Sequence, residues 1–454
     1  MTSPAIIDGD RVIDHAELGA IAGAWAATLA ARGVRRGDRV AMLALGCAEV
    51  FVIARACARL GAAFAPLSWR LAPPELSAIV RDLEPRVLVC DRAHVEVAAD
   101  LDTERLVLDE ESPPGDAPPW DAHDPEAIAQ ILYTSGTTGR PRGAMIPWRQ
   151  VSFNAAITRA LCNLGPRDRT LAMLPLFHTG GLNCLSIPVL AGGGAIVVMP
   201  RFDPAAAIEL IVRHRVSAIL GVPAIYEALL DAGLSHAIAP WLRVVLVGGA
   251  PVSPSLRACC AAQGLPLKQG FGMTEVGPNC FTFGDDDVGR PVPGTEAILL
   301  EPKNGVGELC LRGRHVFAGY LGQPTDELFV HDRWFRTGDL MARDVDGRYR
   351  VVGRVKDMFI SGGENVYPGE VEAVLAAHPQ IAEVAVIGVA DERWGEVGLA
   401  AIVARAPLGA DELDAWTRAR LARYKVPRHW RFVPTLPRTP TGKIARAELV
   451  REAT

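Results

Sequence analysis

Apolar residues recur at helical spacing from Leu18 through Ile21, Ala22, Trp25 and Leu29. Asp14 in front supplies a cap and Gly33 behind supplies a stop, so a helix is predicted between them. Short apolar runs then alternate with longer amphipathic ones. Strands are predicted at 39–45, 62–67 and 86–90, and helices at 49–60 and from Pro73-Pro74 onward. Strands separated by helices of about 10–15 residues indicate a parallel sheet with helices on its faces. The stretch 110–125 is rich in proline and acidic residues and reads as a surface linker. Alternation resumes at the apolar run 129–133. It continues with helices at 148–164, 204–214 and 223–232, and strands at 170–174, 195–199, 218–221, 243–247 and 267–270.

From about Gly284 the helical period fades. Short β segments are predicted at 296–300, 307–312 and 334–337, and Asp346-Gly347 between alternating runs is a hairpin signal. The C-terminal block carries a strand at 358–360, a helix at 368–377, a strand at 381–389, a helix at 410–421 and a polar tail. That is enough for a small α+β domain.

Composition narrows the classes. Hydrophobic residues make up 49% of the 454, enough for a large core. A net charge of −5 and a pI near 6.1 argue against a general nucleic-acid binder. No apolar run reaches the length of a membrane span. Neither Met1-Thr2-Ser3-Pro4 nor Arg451-Glu452-Ala453-Thr454 reads as a targeting signal. The nine cysteines are scattered with no C-x-x-C pair, which suits reduced thiols in a cytoplasm. Only five of the 47 basic residues are lysine, at 268, 303, 356, 425 and 443. Each surviving lysine is informative, because the two cations differ in geometry and charge density.

The densest candidate chemistry follows the run 129–133. Thr134-Ser135-Gly136-Thr137-Thr138-Gly139-Arg140-Pro141-Arg142-Gly143 offers backbone N–H groups freed by glycine, hydroxyl donors and two guanidinium groups, a combination suited to nucleotide phosphates. Without a Gly-Lys-Ser/Thr it is not the loop of a P-loop kinase or ATPase. Four further stretches add to it. In Phe271-Gly272-Met273-Thr274-Glu275, Thr274 suits phosphate and Glu275 suits Mg²⁺. Asp339 ends a strand in Thr337-Gly338-Asp339, as a ribose-diol acceptor would. Gly353-Arg354-Val355-Lys356-Asp357 falls where the texture changes. Lys443 lies in Leu436-Pro437-Arg438-Thr439-Pro440-Thr441-Gly442-Lys443-Ile444.

These five stretches, in this order, resemble the ATP-dependent adenylate-forming superfamily, in its acyl-CoA synthetase branch. The resemblance covers nearly the whole chain. It implies an α/β fold: a large N-terminal domain (1–354) of helix-flanked β-sheets plus a distorted β-barrel, and a small mobile α+β C-terminal domain (357–454) on a hinge near Lys356. It implies ATP, Mg²⁺ and coenzyme A, and a two-step reaction through acyl-AMP. Thr134, Ser135, Gly136, Thr137, Thr138 and Gly139 would hold the β/γ-phosphates, with Arg142 where relatives usually carry lysine. Gly249, Ala250, Gln269, Gly270, Phe271, Gly272 and Met273 would frame adenine and the acyl group. Thr274 would touch the α-phosphate and Glu275 the metal, while Asp339 and Arg354 would bind ribose. Lys443 matches the lysine that contacts the reacting carboxylate and α-phosphate. The cation would offset charge gathering on the phosphoryl oxygens, and placing it on a closing domain makes catalysis conditional on closure.

His178 matches a position that gates the acyl pocket; its competing role is that of a packed residue. The stretch 176–183 lacks the carboxylate that pairs an amino-acid substrate's ammonium, so an unpaired buried amine would result. The presumed walls at 182–185, 222–226 and 271–279 hold no Arg or Lys, so a second substrate carboxylate lacks a partner. An aromatic or medium-chain monocarboxylate is expected. Asn183, Tyr226 and Asn279 either hydrogen-bond a ring substituent or are ordinary polar support. Ser361-Gly362-Gly363-Glu364-Asn365 is similar to the small-residue loop beside the pantetheine tunnel of acid–CoA ligases. It places Gly362 and Gly363 with Lys356 and Arg201 on the CoA side, and Asn365 on the nucleotide side. A carrier-protein phosphopantetheine would use the same tunnel. A monomer or a homodimer is expected.

Overall fold

The computed structural model describes residues 3–108, 110, 124–135, 141–250, 252–303, 305–325, 328–438 and 444–453. Two seven-stranded sheets form the N-terminal part. One runs, in spatial order, Leu267–Gln269, Val244–Val247, Ala218–Gly221, Arg169–Ala172, Ala195–Val198, Pro4–Asp8 and Arg11–Asp14. It is parallel except at the last pair, an edge hairpin turned at Gly9. The other runs Gly319–Tyr320, Pro141–Pro147, Ile128–Ser135, Ala63–Pro66, Arg39–Leu43, Val87–Cys90 and Arg105–Val107.

The helices His15–Ala31 and Ala48–Leu60 pack between the two sheets. A single buried cluster joins Ile6, Ile196 and Val198 of the first sheet to Val40, Met42 and Phe64 of the second through Leu18, Trp25, Phe51 and Ile53. Burial on both sides explains the run of apolar residues at 50–53 in the second helix, where a surface helix would show one stripe.

The β-rich region forms an antiparallel sheet of Thr295–Lys303, Val306–Gly313, Trp334–Arg343, Phe329–Val330 and Tyr349–Arg354. Isolated bridges at Phe281–Pro291 and Gly289–Tyr349 fold the preceding segment onto it, making up the distorted barrel-like unit. The C-terminal block is a separate sheet of Glu364–Val366, Phe359–Ser361, Gly395–Ala404, Ile381–Asp391 and His429–Phe432.

Several elements differ from expectation. The end of the loop expected at 134–143 belongs to a strand, Pro141–Pro147, paired with Ile128–Ser135, with Thr134 opposite Arg142. The polar tail contains the strand His429–Phe432 and the helix Arg446–Ala453. The physical reason lies in Ile381–Asp391, whose alternate residues are buried on both faces. Val384 and Val386 pack under the helices Pro368–Ala376 and Ala410–Arg418, while Ala385 and Ile387 pack with Leu436 and Leu449 of the tail. The helix Pro254–Ala262 and the strand Gly395–Ala404 also went unread. Most of the 110–125 linker lies outside the described residues.

Candidate functional site

Sites in open parallel sheets form beyond the carboxyl ends of the strands. Here Leu174 to His178, Met199 to Arg201, Gly221-Val222, Gly248 to Ala250 and Gly270 to Met273 all follow such strand ends. Gly136, Thr137, Thr138 and Gly139 lie outside the described residues, but their flanks are fixed. Thr134 and Ser135 end one arm of the hairpin, and Arg142 starts the other. The short strand Gly319–Tyr320 pairs with that second arm, and the Leu321 N–H donates to the Gly143 carbonyl at 2.8 Å.

Tyr320 thereby reaches two predicted residues. Its hydroxyl donates to Oε1 of Glu275 at 2.6 Å and accepts from Nη2 of Arg142 at 3.1 Å. The Arg142 guanidinium carbon sits 3.9 Å from the Tyr320 ring centroid. Burial and the adjacent Glu275 carboxylate raise the phenol's pKa well above its ordinary value, so it remains a donor at neutral pH. Thr274 and Glu275 are themselves buried, in one turn of 3₁₀-helix at 274–276. That turn is tied down by the Gln150 amide on the Thr274 carbonyl (2.9 Å) and by the Phe317 N–H on the Glu275 carbonyl (2.8 Å). Gly272 passes so close to the Pro278 carbonyl that a Cβ would overlap it.

Asp339 and Arg354 face each other across neighbouring strands, with Nε of Arg354 2.7 Å from Oδ1 of Asp339. Asp339 is buried while its partner is half exposed. Gly249 has φ of +79° and lies against Val222, so its bare backbone is required by conformation. Ala250 beside it is exposed. Gln269 is held through its side-chain oxygen by Arg257. Gly270 approaches the Phe283 ring, Phe271 packs edge-on against Phe281, and Met273 borders the same cluster.

On the acyl side, the glycine-rich stretch is a π-helix over Gly180–Ser186, a wide turn frequent at functional sites. A Cβ at Gly181 would overlap the Pro175 carbonyl oxygen and stand 2.6 Å from that of Leu174, so only glycine fits there. His178 accepts the Gly180 N–H at Nδ1 (3.1 Å), which puts the ring proton of the neutral form on Nε2.

Three expected pocket residues point elsewhere. Asn183 exchanges two amide hydrogen bonds with Gln130, at 2.8 and 3.2 Å. Asn279 donates to Thr158 at 2.8 Å. Tyr226 is fully buried with its hydroxyl on the Leu246 carbonyl at 2.6 Å. Of the two readings open for them, the hydrogen bonds favour polar support, because each group's capacity is spent inside the fold.

On the presumed CoA side, Arg201 lies over the Trp69 ring at 5.1 Å, with Arg70 at 5.0 Å. Trp69 also meets Phe177 next to His178. Gly362 and Gly363, at φ +61° and +87°, form the two-residue turn between Ser361 and Glu364, so the hairpin itself demands glycine. Trp394 covers Gly362, 2.6 Å from where a Cβ would stand, and is flanked by Arg393 and Arg428 at 5.1 and 5.0 Å. Asn365 donates to the Tyr367 hydroxyl at 3.4 Å, and Lys356 is exposed in the turn after Arg354. Lys443 lies outside the described residues, between Arg438 and Ile444, which form a bridge.

Sequence reading missed Tyr320, Trp69 and Trp394. Tyr320 stands between glycines at 319 and 322, a local hint at most, and its partner Glu275 is 45 residues away.

Comparison with known proteins gives the family. The model of the AMP-binding enzyme family matches residues 1–321, and that of the AMP-binding enzyme C-terminal domain matches residues 370–443. The chain belongs to the AMP-binding enzyme family. A feruloyl-CoA synthase of Amycolatopsis sp is 37% identical over 98% of this chain and 95% of its own. An indoleacetate–CoA ligase of Aromatoleum aromaticum is 35% identical over 97% and 93%. Among solved structures, ATP-bound MatB from Rhodopseudomonas palustris superposes with a TM-score of 0.92 at 31% identity, covering 99% and 95%. The o-succinylbenzoate CoA synthetase of Bacillus subtilis, in complex with its acyl-adenylate intermediate, gives 0.90 at 31% over the same shares. The chain is an AMP-forming acid–thiol ligase that uses ATP, Mg²⁺ and CoA.

Proposed function

We propose that this ligase activates an aryl or arylalkyl monocarboxylate and passes it to CoA. The observation that supports the substrate class is the make-up of the segments taken here as the acyl walls. The segments 182–185, 222–226 and 271–279 contain no cation, and their amides and phenol are hydrogen-bonded within the fold. A second substrate carboxylate would be desolvated without a partner there. The names of the two relatives above support an aryl acid over a medium-chain one. They also favour CoA over a carrier-protein phosphopantetheine.

In this reading, the residues 134–139 and Arg142 hold the β/γ-phosphates and Thr274 touches the α-phosphate. Gly249, Ala250 and the 269–273 segment frame adenine and the acyl group. Asp339 accepts from the ribose hydroxyls, and Arg354 fixes its carboxylate. A carboxylate oxygen of the acid attacks the α-phosphorus and the bond to pyrophosphate breaks. The CoA thiol then attacks the acyl carbon, gives up its proton, and the bond to AMP breaks. Lys443 contributes a positive charge to the first step, and His178 borders the acyl group without proton transfer, since the acid enters ionised.

Glu275 fits magnesium. It is a buried carboxylate that, among the described residues, receives a neutral phenol and forms no ion pair. Such a charge is costly unless a cation meets it. Among the described residues no cluster of three ligating side chains exists, which suits a metal held by one carboxylate plus substrate phosphates and water. When bound, the metal withdraws charge from the phosphate oxygens.

On the acceptor side, Trp69 with Arg70 and Arg201, and Trp394 with Arg428, offer flat faces and cations suited to the nucleotide end of CoA. The boundary between domains 1–354 and 357–454 belongs to the same reading, with Lys356 as hinge in an exposed turn. A reducing, cytoplasmic setting fits the nine free thiols, and no described helix is long and apolar enough to cross a membrane.

Pyrophosphate exchange across a panel tests the substrate class: ferulate, indoleacetate, benzoate, octanoate, malonate and 2-succinylbenzoate. Exchange with the aryl monocarboxylates is the expected result. Exchange confined to the dicarboxylates would overturn it.

A further inference from the structure

Tyr320 joins two parts of the nucleotide site that arise from distant points in the chain. Arg142 leaves the hairpin beside the phosphate loop, and Glu275 lies in the buried turn after Met273. Between them stands a phenol, which can donate one hydrogen bond while accepting another. It donates a hydrogen bond to Glu275 Oε1 at 2.6 Å and accepts one from Arg142 Nη2 at 3.1 Å.

We propose that Tyr320 is a positioning residue of the nucleotide site, holding the metal-binding carboxylate and the phosphate-facing guanidinium in one fixed relation while keeping them apart. The proposal rests on the assignment of Glu275 to magnesium and Arg142 to the β/γ-phosphates. Direct contact between the two would give a bidentate arginine–carboxylate pair, in which each charge is spent on the other. The interposed neutral phenol prevents that. The carboxylate keeps its charge for a cation and the guanidinium keeps its own for an anion. It also accounts for arginine at 142. A planar guanidinium lies on the ring at 3.9 Å and reaches the hydroxyl with Nη2 at once. An ammonium is a point donor that can do only one of these. The strand Gly319–Tyr320 is seated on the hairpin by the Leu321 N–H and followed back to the Glu275 turn by the Phe317 N–H, so the backbone fixes the phenol from both sides.

The test is equilibrium binding of ATP by calorimetry, titrating Mg²⁺, in wild type, Tyr320→Phe, Arg142→Lys and Glu275→Gln. Tyr320→Phe should raise the Mg²⁺ midpoint about tenfold, the scale of a lost hydrogen bond to a charged group. Metal-free ATP binding should move less than about threefold, because the phenyl ring keeps the guanidinium seated on its face. Conversion of supplied acyl-AMP to the thioester should be unchanged, which a general loss of structure would not allow. Arg142→Lys should also raise the Mg²⁺ midpoint, although Arg142 makes no hydrogen bond to Glu275, and this arm stands even if Tyr320→Phe does not fold. The double variant Tyr320→Phe/Arg142→Lys, added to the set, should lose less than the product of the single losses. A Mg²⁺ midpoint unmoved in Tyr320→Phe or in Arg142→Lys, while Glu275→Gln shifts it, overturns the proposal alone. A strictly multiplicative double variant does the same. A midpoint unmoved in Glu275→Gln overturns the metal assignment and the proposal with it.

Discussion

His315 shows what one side chain can impose on the whole. It is buried between Phe153 and Thr295, its Nε2 without a hydrogen-bond partner among the described residues. Burial, aided by the Arg149 charge, lowers its pKa from 6.5 to about 4. The fold therefore holds it neutral while the unfolded chain takes up a proton below about 6.5. Its contribution is intact above that value and is lost as pH falls toward 4. At about 1.4 kcal/mol per pH unit, the loss between pH 6.5 and 5 is about 2 kcal/mol. Urea denaturation of His315→Phe should show a correspondingly flatter fall in stability between pH 7 and 5; an identical pH slope would refute the assignment.

At the same scale, Glu275 and Asp339 could be singled out in the sequence because each stands in a short run of small or polar residues; the strand expected to end at Asp339 in fact continues through it to Arg343. Asn183, Asn279 and Tyr226 were not resolved between two uses. Which use an amide serves depends on a partner such as Gln130, which is 53 residues from Asn183 and has no local signature.

Among the elements, the segment Gly270 to Glu275 depends on a missing side chain. A Cβ at Gly272 collides with the Pro278 carbonyl, and both are backbone, so neither can swing aside. Gly272→Ala should therefore displace Thr274 and Glu275. Steady-state kinetics should show kcat/KM down by about 100-fold, the scale of a 1 Å misplacement, and thermal unfolding should begin several degrees earlier. Gly165→Ala, where a Cβ meets nothing within 4 Å, should stay within about 0.5 kcal/mol of wild type. Equal effects at both positions would refute the argument.

Element type was legible where a segment carried its own period, as in Pro73–Leu83 or Pro204–Arg213. The strand Pro141–Pro147 was missed because its prolines and glycine mask a pairing that the hairpin partner supplies. The terminal helix Arg446–Ala453 was missed for a related reason. It buries Leu449 alone among its residues, and only the open second face of the C-terminal sheet calls for a cover.

The molecule as a whole must run two half-reactions, and Lys356 lies where the chain passes from one sheet system to the next. Its peptide nitrogen donates no backbone hydrogen bond among the described residues, so proline there removes none while fixing φ. If rotation at this point separates the half-reactions, Lys356→Pro should keep one within about threefold and slow the other more than about tenfold, as a conformational step would. Pyrophosphate exchange and thioesterification of supplied acyl-AMP measure the two separately. Retention of both, or loss of both, counts against the hinge.

The sequence by itself determined the alternation of strands and helices, the β-rich region and the separate C-terminal block, and it singled out the carboxylates at 275 and 339 as candidates. These rest on local period and on short runs that carry their chemistry with them. The tertiary structure decided how the hairpin at Pro4–Asp8 enters a sheet with a strand at 195–198, and which amides turn inward. It also placed a tyrosine from a two-residue strand between an arginine and a glutamate. Those outcomes depend on which surfaces meet when the sheets pack, and contacts between residues far apart in the chain leave no periodic trace in it.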